Sequence, residues 1–234
     1  MSTLSGGPNT ITDGLVLYLD AANPKSYVSG STTWTDVSGN GRGGNLIGSA
    51  SFTTGPEAFN TNCTAITDIG YLTPSAQITF ADASSYTFDF WVRMRASAQA
   101  TLHSLSGREF TRPWLLINTN LTNGLSWDVR FRDNTTVYNT FSTITDTNIQ
   151  NWTNITVTAD TSRNLSLYVN GAFRQTIVLT TSLFFVNRIA GGYSSGANQY
   201  NLQGLLASSK FYNRTLTAQE ILQNYNATKT RFGL

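Results

Sequence analysis

Tyr86-Thr-Phe-Asp-Phe-Trp-Val-Arg-Met-Arg95 alternates strictly, with Tyr86, Phe88, Phe90, Val92 and Met94 in one phase and Thr87, Asp89, Trp91, Arg93 and Arg95 in the other. Successive side chains of an extended chain point to opposite faces, so an apolar set with a period of two predicts a strand that turns one face to a core. The device recurs along the sequence. Gly14-Leu-Val-Leu-Tyr-Leu-Asp20 is a short apolar run between the turn signals Asp13-Gly14 and Asn23-Pro24. Leu125, Trp127, Val129 and Phe131 alternate, and so do Ile155 and Val157, then Leu165, Leu167 and Val169. Asn170-Gly171 separates two such runs, and this pair supplies both positive-φ positions of a type I′ hairpin turn. Short strands joined by tight turns, without helical patterns between them, predict an all-β fold, an antiparallel two-sheet sandwich. One segment departs from it. Thr217-Ala-Gln-Glu220 has the order of a capping box and Ile221, Leu222 and Tyr225 follow at helical spacing, predicting one short C-terminal helix across an edge or end of the sandwich, with Gly233 marking its end.

The chain has 234 residues, enough for one domain that buries about 70–75% of its unfolded surface without help from a metal or a disulfide. No composition break divides it, so residues 13–234 read as a single domain and the polar residues 1–12 as an N-terminal arm. Ser, Thr and Asn make up about a third of the sequence, and Glu occurs only at positions 57, 109 and 220. Such side chains favour strand surfaces, turns and caps, because they offer the backbone competing hydrogen bonds inside helices. The 15 Lys and Arg balance 13 Asp and Glu with no run of like charge, which argues against a nucleic-acid partner. Apolar stretches are only a few residues long, far short of the roughly 20 that cross a bilayer, so membrane insertion is not expected. Cys63 is the one cysteine and the first residues do not resemble a signal peptide. A polar, weakly charged surface without disulfide or export signal is what a component of a particle released by lysis would show.

Three chemistries can be weighed on the residues. Glycoside hydrolysis needs two carboxyl groups about 5–9.5 Å apart. The three glutamates are scattered, and Glu220 is better used in the helix cap. His103 lies in a strand-like segment and reads as a structural histidine. Calcium asks for six to eight oxygens. Asp36 and Asn40, with Ser38 between them in a Gly-rich loop, could converge on one point, with Asp20 approaching from the end of the first strand. The competing and favoured reading is an Asx-turn network in which these side chains hold the loop. Sugar binding needs an exposed aromatic face and planar polar groups. Trp34, Trp91, Trp127 and Trp152 sit where packing is expected. Trp114, beside Pro113, together with Tyr193, Asn198 and Tyr200 around a polar loop, is therefore the predicted carbohydrate contact.

Several segments together resemble a known family. Trp34-Thr-Asp-Val-Ser-Gly-Asn-Gly41 is similar to the W-x-D-x-SGNG segment of laminin-G-like, concanavalin A-like jelly-roll domains, and 86–95 is similar to their F-x-W-V strand. Trp152 to Asp160 followed by Leu167-Tyr-Val-Asn-Gly171 resembles their W…D…LYVNG hairpin, and Phe211-Tyr-Asn-Arg-Thr-Leu-Thr-Ala-Gln-Glu-Ile221 their terminal YNR-x-LT-x-x-EI. The chain departs from the pattern at Phe59-Asn-Thr-Asn-Cys-Thr-Ala-Ile-Thr-Asp68, where relatives often carry an acidic segment and most acids are missing here. Near the two ends, LYLDAANPKSY and NYNATKTRFG resemble the versions carried by tailed bacteriophages. The resemblance implies a jelly-roll sandwich in a non-enzymatic virion structural protein, on the capsid or near the tail. Its implied partners are other virion proteins and its own copies in a homo-oligomer. The alternative is a glycan-binding adhesin for host attachment, with a glycoside hydrolase third. No cofactor is required, calcium being the one candidate.

Overall fold

A computed structural model of the protein describes residues 9–53, 58–63, 68–95, 102–107, 113–119, 126–132, 138–194 and 197–234; for 193, 194 and 197–199 it describes the backbone alone. Two antiparallel sheets, each of eight strands, form a sandwich. The first runs Ala172–Val178, Asn164–Val169, Thr153–Ala159, Tyr86–Met94, Gly204–Tyr212, Ala58–Asn60, Ser51–Thr53, and Leu15–Asp20 also pairs with Gly204–Tyr212. The second runs Tyr138–Thr140, Trp127–Arg132, Trp114–Thr119, Leu102–Gly107, Arg188–Ile189, Gly70–Pro74, Gly44–Gly48, Thr33–Trp34.

Each alternating run puts its apolar phase between the sheets. Phe88, Phe90, Val92 and Met94 meet Leu115, Ile117, Val129 and Phe131 in one continuous core. Ring centroids of Phe88 and Phe184 lie 4.9 Å apart and those of Phe131 and Phe184 5.5 Å apart. Asn170 and Gly171 have φ of 53° and 76°, the left-handed pair that the type I′ hairpin requires.

The other phase of 86–95 is not solvent-facing as alternation alone suggests. Thr87, Asp89 and Trp91 are buried and Arg93 alone is open. The helix Ala218–Thr228 and the 3-10 turn Lys229–Phe232 lie on this outer face rather than at an edge or end. Trp91 stacks on Tyr225 and Phe232, with centroids at 5.6 and 4.2 Å, and its Nε1 donates to Thr228 Oγ1 at 2.8 Å. The physical reason is area: an indole in the polar phase needs cover, and the stripe of the short helix supplies it. Lys210 and Asp89, both buried, share the covered face at 3.6 Å, and Asn154 Nδ2 donates to Asp89 at 2.8 Å. The last residues of the predicted arm are also held there. Gln223 Nε2 donates to Asn9 O, Ile11 N donates to Asn224 Oδ1 and the Tyr212 hydroxyl donates to Ile11 O. Residues 1–8 lie outside the described residues. No helix among the described residues is long and apolar enough to cross a membrane.

Candidate functional site

Where the helix and its 3-10 turn stop, the outer face of the first sheet opens into a cleft of about 510 Å³. Its floor is a cross-strand row: Leu205 is the register partner of both Arg93 and Asn60. An apolar side chain thus sits between a guanidinium and a carboxamide. The wall is the turn before Thr153, carrying Asn148, Gln150 and Asn151. Asn148 folds that turn, its Oδ1 accepting from Gln150 N at 2.9 Å, while Ile149 O accepts from Met94 N and fixes the turn to the strand. The carboxamides of Gln150 and Asn151 make no hydrogen bond among the described residues. Gly204 also lines the cleft, and a Cβ there would run into the backbone of Arg93.

Two arginines flank the floor. The Arg93 guanidinium lies 5.4 Å from the centroid of Trp152, which itself packs on Phe232 at 4.8 Å. Arg95 donates to Cys63 O at 3.2 Å and to Asn60 Oδ1 at 3.4 Å. Cys63 is fully buried, and desolvation pushes its thiol up to about 11, so this anchor carries no reactive thiolate near neutrality. Amides, guanidinium groups and an apolar patch suit a saccharide's hydroxyls and C–H faces, although no aromatic face lines the cleft among the described residues.

The predicted sugar contacts lie elsewhere, on the outer face of the second sheet. Trp114 is 1% exposed, closed in by Tyr200 at 5.5 Å between ring centroids and by the Arg132 guanidinium at 5.1 Å. Arg132 lies between two rings, since Tyr138 is 4.6 Å away on the same guanidinium. Gly107 lets the indole lie flat on its strand, for a Cβ there would collide with Trp114 Cδ1. Trp114 is thus covered, not an open stacking face. Tyr193 and Asn198 pair in the hairpin of 192–199, which leads into Tyr200, and their side chains fall outside the described residues. Of the four, the described side chains bring Trp114 and Tyr200 together, and the backbone pairs Tyr193 with Asn198.

The calcium residues are spent on the fold. Asp36 accepts four hydrogen bonds at 2.9–3.0 Å, from Tyr18 N, Ser38 N, the Ser38 hydroxyl and Arg42 N. Asn40 donates its Nδ2 to Leu15 O and Ser38 Oγ at 3.0 Å. Asp20 receives Arg231 at 2.6 Å, Ala22 N at 3.0 Å and the Tyr18 hydroxyl at 3.1 Å. Carboxylate oxygens so occupied by donors do not fit a cation, and the Asx-turn arrangement is what the loop contains. Among the described residues no three His, Cys, Asp or Glu gather at one point. His103 is buried with Nδ1 3.2 Å from Asn201 O, and Glu220 is in the helix cap. Glu57 and Glu109 lie outside the described residues.

The sequence of residues 67–222 matches the laminin-G-type model of the concanavalin A-like lectin/glucanases superfamily. The chain belongs to this superfamily. No curated protein matches in sequence. Among solved structures, the binding domain of botulinum neurotoxin DC in complex with rat synaptotagmin II aligns with a TM-score of 0.65 at 16% identity, over 93% of this chain and 52% of that one. The same neurotoxin's binding domain in complex with SialylT gives 0.63 at 16% identity, over 93% and 52%. A botulinum neurotoxin type C structure described by its interaction with two ganglioside molecules gives 0.59 at 14%, over 92% and 51%. The chain spans about half the length of these structures, and at such identities the likeness is one of fold. The superfamily's sandwich is thus established from both sequence and topology.

Proposed function

We propose that the chain is a non-enzymatic, lectin-like binding module that takes a saccharide in the cleft between Arg93, Leu205, Asn60 and the 148–151 turn. The observation that carries this reading is the set of unspent carboxamides of Gln150 and Asn151 facing a recess of about 510 Å³ with an apolar floor. Asp36 is consumed by its partners in the fold, whereas half-buried Gln150 and exposed Asn151 keep their carboxamides accessible to a ligand. Lectin-like superfamily membership supports it, and so do neighbours whose descriptions name SialylT and ganglioside molecules. A binding role without hydrolysis is favoured because, among the described residues, the cleft lining holds no carboxyl group, let alone the pair that glycosidases use. A glycan array tests it. Wild-type protein should bind a defined subset of saccharides, and Gln150→Ala and Asn151→Ala should each lower the affinity at least tenfold with Tm unchanged. Binding that survives both substitutions would place the sugar elsewhere and sink the cleft reading.

The setting is a separate proposal, resting on the phage-like wording of LYLDAANPKSY and NYNATKTRFG. There the module is displayed on the virion surface, on capsid or tail, as a homo-oligomer whose several copies would give weak sugar contacts avidity. Mass spectrometry of purified particles should find its peptides in constant ratio to the major capsid protein. Their loss on density-gradient purification would refute it.

A further inference from the structure

Resting on the saccharide reading of the same cleft, we infer that its ligand is an acidic sugar, one bearing a carboxylate or a sulfate. The argument is charge balance. Arg130, Arg163, Arg174, Arg214 and Arg231 each hold a carboxylate at 2.5–2.7 Å. The two arginines of the cleft hold none, and no Asp or Glu lines it, among the described residues. Lys25, Arg42, Arg132 and Lys229 also lack a carboxylate among the described residues, but none of them lines this recess, so the recess takes its charge from Arg93 and Arg95 together.

The geometry gives each guanidinium a part. Arg93 is exposed, with its guanidinium carbon 5.4 Å from the Trp152 centroid, and the N–H groups of that guanidinium make no hydrogen bond among the described residues. A guanidinium so placed offers the fork that matches a carboxylate or sulfate with two parallel hydrogen bonds. Arg95 is pinned through neutral acceptors, Cys63 O and Asn60 Oδ1, so it keeps its full charge while its position is fixed. The apolar Leu205 lies beside Arg93 in register, where the C–H face of a pyranose ring can rest as its acidic group meets the fork. Gln150 and Asn151 then face the hydroxyls from the wall. A neutral sugar would satisfy the amides but leave both guanidinium charges without an anion. An acidic one satisfies all of the groups.

The test is an array on which sialylated, uronate-containing and sulfated saccharides each stand beside their neutral parent, followed by calorimetry on the best pair and on inorganic sulfate and phosphate alone. The acidic member should bind at least tenfold more tightly than its parent. That preference should weaken as sodium chloride is raised, as a partly exposed charge contact requires. Arg93→Gln, a substitution at an open position, should bring the acidic sugar down to the affinity of the neutral one, and Arg93→Lys should restore only part of the difference. Equal binding of acidic and neutral members, with Gln150 still required, would overturn the acidic-sugar inference and leave the lectin reading intact. Binding of free sulfate or phosphate as tight as that of the acidic sugar would show a simple anion site and overturn it as well. A blank array removes both.

Discussion

Trp91 shows how much one side chain decides in this protein. Its indole is fully buried between Tyr225 and Phe232 on the face of the first sheet that lies away from the main core. Truncating a buried large aromatic typically costs about 3–5 kcal/mol, from lost transfer energy plus the cavity left behind. We expect Trp91→Ala to lower the unfolding free energy by that amount in urea titrations, and Trp91→Phe by less, because it keeps a ring in the stack and loses only the Nε1 bond to Thr228. A change within about 0.5 kcal/mol would mean that the C-terminal segment is not part of the cooperative fold. The same residue marks what the sequence discloses. A tryptophan in the polar phase of an alternating strand signals a covered second face, but the identity of the cover depends on residues far along the chain. Trp114 is the converse case: its place next to Pro113 hides the fact that Arg132 and Tyr200 close over it.

At the scale of elements, the C-terminal helix is legible down to its first turn. Thr217 Oγ1 accepts from Glu220 N at 3.2 Å and Glu220 Oε2 accepts from Thr217 N at 2.8 Å, both halves of the capping box. Thr217→Ala should cost about 1 kcal/mol, the usual price of losing such a cap. Arg214 adds a bidentate pair at 2.6 and 2.9 Å and, as the leading cause with the Thr217 contacts after it, holds the Glu220 carboxyl down to about 2 from an ordinary 4.5. The folded state therefore favours the ionised form. Its contribution is complete above the unfolded value of 4.5 and is lost as pH falls toward about 2. The stability difference between wild type and Glu220→Gln, measured by chemical unfolding across that window, should shrink steadily with acid. A difference independent of pH would contradict the pairing. What the pattern of Ile221, Leu222 and Tyr225 does not reveal is the docking site, because an apolar stripe fits a sheet face as well as an edge.

For the whole molecule, alternation and turn chemistry make the sandwich readable, since a period of two must place one phase in a core whatever the partner strand. The cleft is different in kind. Arg93, Leu205 and Asn60 become neighbours only through the order and register of three strands, and Asn148 to Asn151 reach them from a fourth region. The legible hints were Arg93 and Arg95 in the outward phase and a run of amides just before Trp152. Neither points to the other until the strands pair. The central claim is that this junction binds sugar. Its most direct test is a titration of isotope-labelled protein with the tightest saccharide from the array, followed through the side-chain amide resonances of Asn60, Gln150 and Asn151 and the Arg93 Nε–H signal. The account predicts saturable shifts at these groups, with those of Trp114 Nε1–H unmoved. Shifts centred on Trp114 and the 192–200 hairpin, or none at any saccharide concentration, would contradict it.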